Sequence, residues 1–99
     1  MKAENSHIYV CQGDILSTNA DAVRPGLFAV CEGLTAGALV QFDLRAARMI
    51  DSVGLNLIVS ALRRAKAQDA QVRIRVSHPT VERMMTFTRI DQHAEVVNH

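Results

Sequence analysis

The spacing of apolar residues changes several times along the chain, and each change marks an element. Ile8-Tyr9-Val10-Cys11 is rich in β-branched and aromatic residues and predicts a first strand, continuing loosely to Gly13. Gly13-Asp14 punctuates it, and Ile15-Leu16 resumes it. Ser17, Thr18, Asn19 and Asp21 all offer helix N-caps. Val23, Leu27, Val30, Cys31 and Leu34 then share one helical face. Pro25 lies inside this pattern. Proline suits only a first turn, so the helix is expected to begin between Ala22 and Pro25. Gly33 is its expected stop.

The middle of the chain is the most regular. Ala38 to Leu44 reads as a buried strand, followed by a short loop from Arg45 to Ile50. Asp51 or Ser52 caps a strong helix, with Leu55, Ile58, Val59, Leu62 and Ala65 on its core face. Asn56, Ser60, Arg63, Arg64 and Ala67 fall away from that face. Gln68-Asp69-Ala70 turns the chain. Val72-Arg73-Ile74-Arg75-Val76 alternates apolar and basic residues, as a strand with one wet face does. Strand, helix, strand over this distance is a βαβ unit with parallel strands and a right-handed crossover. Ser77-His78-Pro79 opens another helix, with Val81, Met84 and Met85 as its stripe. Ala94 to Val97 offers a last strand. The expected fold is a single small α/β domain over residues 1–99, a mixed, mostly parallel sheet with helices packed on it.

Composition narrows the function. The chain has 99 residues, 48% hydrophobic and 21% charged, which fits one soluble globular domain. Its apolar runs are too short to span a membrane. No secretory h-region follows Met1, so a cytoplasmic location is expected. The net charge of +1 argues against bulk nucleic-acid binding, and with no Trp and one Tyr there is no stacking motif. The charge is uneven: residues 1–43 hold two bases against five acids, and residues 44–99 hold nine against five. Two cysteines, Cys11 and Cys31, are too few for a disulfide scaffold and read as small buried residues. The four histidines lack metal-ligand spacing, and His7 and Cys11 on one strand face stand about 13 Å apart. No metal and no cofactor is expected.

One stretch carries candidate chemistry: Ile50-Asp51-Ser52-Val53-Gly54-Leu55. It lies at the carboxyl end of a parallel strand, where a helix begins and where open α/β sheets bind ligands. A helix N-terminus offers unpaired N–H groups and partial positive charge, so a phosphoryl group on Ser52 is electrostatically welcome. Gly54 leaves space for a close approach. Capping alone also accounts for Asp-Ser before an apolar run. Ser52 with Gly54 looks like half of a nucleophile elbow, but position 50 is Ile and the chain is too short for that hydrolase fold. No phosphate-binding GxxxxGK[ST] loop occurs.

At these residues the chain resembles the STAS domain, shared by bacterial anti-sigma factor antagonists and the cytoplasmic tails of sulfate transporters. Gln41-Phe42-Asp43-Leu44 looks like the strand before that family's site, and Asp51-Ser52-Val53-Gly54-Leu55 matches its Asp-Ser-x-Gly-Leu signature. Arg63-Arg64-Ala65 with Val72-Arg73-Ile74 looks like the helix end and next strand. Ser77-His78-Pro79 to Met85 resembles the following helix, and Gly13-Asp14-Ile15-Leu16 an early turn. The resemblance implies a non-enzymatic phosphorylation switch. Ser52 is then the phosphoacceptor of a GHKL-type anti-sigma factor kinase, reversed by a PP2C-type phosphatase, and the unphosphorylated form binds the kinase. Asp51 then caps the helix and orients the partner, and Gly54 leaves room at the contact. Met49, Val53, Asn56 and Ser60 complete the expected partner-binding surface. Arg45 and Arg48 are candidates to contact the phosphate, or are ordinary loop residues.

The chain departs from the family pattern in three places. Twelve residues precede Gly13, so one of the two usual early strands is expected to be short or missing. Arg89 stands where a glycine often precedes the Ile-Asp, so that turn is expected to differ. The usual last helix has little room before His99. A small sheet with open edges makes a homodimer possible. The alternative within the family is an unphosphorylated accessory subunit of a lipid-transport ABC complex or another signalling assembly.

Overall fold

A computed structural model describes residues 7–98. The elements run β1 (Ile8–Val10), α1 (Ala20–Ala29), β2 (Leu39–Asp43), α2 (Ser52–Lys66), β3 (Gln71–Val76), α3 (Pro79–Phe87), a 3-10 turn (Ile90–Gln92) and β4 (Glu95–Asn98). The sheet order is β1-β2-β3-β4, with each pair parallel. The expectation of a mixed sheet gives way to a wholly parallel one among the described residues. The reason is that a helix fills every connection between strands, and a helical crossover returns the chain in the same direction.

Strand alternation builds one core. Val40, Phe42, Val72, Ile74 and Val76 are buried on the helix side of the sheet. The other face is wet. There Gln41, Arg73 and Glu95 stand side by side in register, and Arg73 Nε donates to Glu95 Oε1 at 2.8 Å. The alternating basic residues of β3 are therefore the solvent face of a one-sided sheet.

The helices show where local rules were overridden. α1 begins at Ala20, earlier than expected, and holds Pro25 in its interior. The bond lost there is the one to the Asp21 carbonyl. Both residues are exposed, so the gap lies on the solvent side. Asn19 occupies the N-cap position without capping by its side chain. That side chain turns back into the preceding loop instead. α2 follows its expected span, but its buried stripe is Gly54, Leu57, Ile58, Ala61, Leu62 and Ala65. Leu55 and Val59 are only half-buried. α2 packs against α1 as well as the sheet, which moves the stripe round toward Leu57 and Ala61. Arg64 holds that junction from outside, lying 4.6 Å from the Phe28 ring centroid and pairing with Glu32 at 3.1 Å. Both cysteines are free and buried, and burial pushes the Cys31 thiol up to about 11.

α3 begins at Pro79, with His78 Nδ1 accepting from the Thr80 N–H. After α3, Arg89 adopts the left-handed conformation, φ 64° and ψ 20°. At this turn Arg89 therefore holds a backbone conformation that glycine adopts without strain. Asp69 is also left-handed, but a short polar side chain tolerates that region; for arginine it costs roughly 1–2 kcal/mol.

Phe42 is wholly buried in a central strand, whereas Phe87 is 90% exposed at the end of α3. Phe42→Ala is expected to lower stability by about 3–5 kcal/mol. Phe87→Ala is expected to stay within about 0.5 kcal/mol of the parent. Urea unfolding of the two variants checks both.

Candidate functional site

Two loops meet at the carboxyl edge of the sheet, residues 11–19 after β1 and residues 44–51 after β2. Ile15 is the seam. Its N–H donates to the Met49 carbonyl at 3.2 Å, and its carbonyl accepts from the Asp51 N–H at 3.3 Å. Ile15 and Ile50 thereby form a parallel bridge beyond the ends of the strands. Asp14 adds a second clasp. Its Oδ1 accepts from the Arg48 and Met49 N–H groups at 2.8 and 3.0 Å. Asn19 closes the first loop, donating to the Asp14 carbonyl and accepting from the Leu16 N–H, each at 2.8 Å.

This seam sets the start of α2. Asp51 is its N-cap, and Asp51 Oδ1 accepts from the Gly54 N–H at 2.9 Å. Asp51 Oδ2 accepts from the Ser17 N–H at 2.7 Å. The Gly54 and Ser17 amides, in that order, hold the Asp51 carboxyl below the usual carboxylate range. Asp51 is therefore ionised at neutral pH, with both oxygens engaged inside the chain.

Gly54 has a different reason from the expected one. It is buried. A Cβ at this position would collide with the Ile15 carbonyl oxygen. The missing side chain admits the protein's own backbone, so Gly54 offers no surface to a partner.

The remaining expected residues fall into two groups. Ser52 is the first residue of α2 and is exposed. Met49 and Val53 flank it in sequence and are 56% and 43% exposed, two of the four large apolar residues so exposed among those described. Asn56 and Ser60 are exposed on the same helix. They line a shallow groove of about 170 Å³ with Val53, Leu57 and Arg24. Arg45 and Arg48 are held by the loop. Arg45 donates through Nε and Nη2 to Asp43 at 2.9 and 2.7 Å, and this contact holds the Asp43 carboxyl below its ordinary value. Arg48 joins through its backbone N–H to Asp14.

Sequence reasoning missed Asp14 and Arg24, and assigned Ser17 and Asn19 to capping α1. Asp after Gly in a loop signals a side chain bonded to nearby backbone amides. Which loop it clasps depends on tertiary contact alone. Nothing local marks Arg24 as a neighbour of the α2 start.

The family model for the STAS domain matches residues 1–99. The chain belongs to the STAS domain family. The crystal structure of a putative anti-sigma factor antagonist from Thermotoga maritima superposes with a TM-score of 0.74. The match covers 94% of this chain and 80% of that one, at 16% sequence identity. It shows a shared STAS fold. No curated protein matches the sequence.

Two measurements test the architecture of this STAS site. Gly54→Ala gains about 1 kcal/mol of helix propensity but must displace the Ile15 backbone, so a net loss of about 1–3 kcal/mol in urea unfolding is expected. The Asp51 shift gives a signed pH dependence. Its folded value is lowered, so its stabilisation is complete above the unfolded value near 3.9 and fades as pH falls through the folded one. Asp51→Asn is therefore expected to start less stable at neutral pH and to lose less on acidification below about pH 4. Thermal midpoints of both proteins against pH check this.

Proposed function

We propose that this domain is a non-catalytic binding protein switched by phosphorylation of Ser52. The observation that carries the reading is the setting of Ser52, an exposed first residue of α2 flanked in sequence by the exposed apolar residues Met49 and Val53. That surface suits a dry protein contact in the unmodified state. Phosphorylation adds about −1.5 to −2 charge at its centre. The contact would then have to desolvate a dianion, beside an Asp51 that is already ionised. On the free domain the same dianion is favoured by the N-terminus of α2. Modification thus stabilises the free form and opposes the complex.

The partner proposed from the family resemblance is an anti-sigma factor that is also a GHKL-type serine kinase. A PP2C-type phosphatase resets the switch. Such a cycle belongs in the cytoplasm, and no helix among the described residues is long and apolar enough to cross a membrane. Arg24, facing the groove with Asn56 and Ser60, extends the contact surface onto α1. The Asp43 ion pair makes Arg45 a poorer phosphate ligand than the helix amides.

Intact-mass measurement and phosphosite mapping of protein isolated from its native host test the modification, with phosphate expected on Ser52 and absent in Ser52→Ala. Capture of the partner tests the switch. Ser52→Ala is expected to retain it, and Ser52→Glu to weaken it about tenfold or more, which is about 1.4 kcal/mol or more. Equal capture by Ser52→Ala and Ser52→Glu, with no phosphate under any growth condition, would reject the switch and favour a constitutive accessory subunit.

A further inference from the structure

A second surface lies over the last two turns of α2, from about 10 to about 20 Å from Ser52 by helix rise. Here the last two turns of α2 face the segment that links α3 to β4. Between them runs a groove of about 580 Å³, within the usual range for small-molecule sites. Its floor is apolar, made by Val59, Leu62 and Ile90. Its rim is cationic, with Arg63 and Lys66 on one side and Arg89 on the other. His93 adds an imidazole, and no carboxylate lines the groove. Among the described residues, the ion pairs of the protein all involve other bases, namely Arg24, Arg45, Arg64 and Arg73.

Arg89 decides how this groove is read. A helix C-terminus favours bases, which accounts for Arg63 and Lys66 in the last turn of α2. It does not require an arginine in the left-handed conformation. The turn itself needs only backbone there: the Arg89 N–H donates to Thr86 and its carbonyl accepts from Gln92. Glycine would supply both without strain. Strain retained at one residue points to work done by its side chain, and Arg89 is one of the residues that line the groove.

We propose that the groove binds a small amphipathic anion. Its apolar body lies on Val59, Leu62 and Ile90. Its carboxylate or phosphate lies between Arg89 and the Arg63–Lys66 side, where a guanidinium gives planar, charge-assisted donation. The proposal is independent of the Ser52 switch.

The test uses the full chain and two fluorescent probes with the same aromatic body. Anilinonaphthalene sulfonate carries the anion, and N-phenylnaphthylamine does not. The sulfonate is expected to bind saturably at one site, with amide NMR shifts confined to residues 59–67 and 88–93. The neutral probe is expected to bind about tenfold or more weaker. Arg89→Gly is expected to weaken the sulfonate by a similar factor while raising the thermal midpoint, since it removes the strain and keeps the turn. Displacement by octanoate or by octyl phosphate identifies the preferred head group. Equal binding of the two probes, shifts centred elsewhere, unchanged affinity in Arg89→Gly, or displacement by octanol as good as by both anions would each overturn the proposal.

Discussion

The backbone of Ile15 passing against Gly54 is the contact on which the rest of the site depends. A carbonyl can come that close only where the helix has no Cβ. Once there, it accepts from the Asp51 N–H while the Ile15 N–H reaches Met49. Those bonds join two loops that belong to different strands. They also fix where α2 starts, and so which residue stands first and exposed on it. Ser52 is presented because Gly54 is hidden. Any side chain at position 54 would move the loop, the cap and the exposed serine together.

The same helix carries contrasting chemistry at its two ends. At its start, amide hydrogens and the ionised cap of Asp51 make a place where one added negative charge changes the balance. At its finish, Arg63 and Lys66 stand over an apolar floor with Arg89 opposite. Between them, Leu57, Ile58, Ala61 and Leu62 bury the helix against α1 and the sheet. The helix thus carries an exposed serine at its first residue and a cationic groove over its last two turns.

Much of this is legible in the sequence. The β2-α2-β3 unit, the Asp51 cap and the start of α3 at Pro79 rest on local rules, and the structure keeps them. α1 starts ahead of the point that Pro25 predicts, because the position of Pro25 on the solvent side lets it sit beyond the first turn. The buried stripe of α2 was shifted because periodicity reports one packing partner, and α2 has two. At Gly54 the sequence shows that a side chain is missing, not that the Ile15 backbone fills its place. Asp14 was invisible as a clasp because its partners, Arg48 and Met49, lie 34 and 35 residues away.

The order of the strands in space is their order in the chain. Each helix and its following strand therefore pack onto a surface the chain has already made, and no segment must be inserted between two earlier ones. Assembly can proceed by addition at one growing edge, in the direction of synthesis at the ribosome. The loop that carries Ile15 emerges before the helix it will lock. The seam between them closes only when α2 arrives, so the early part of the chain waits, with its edge open, for the glycine that lets it fit.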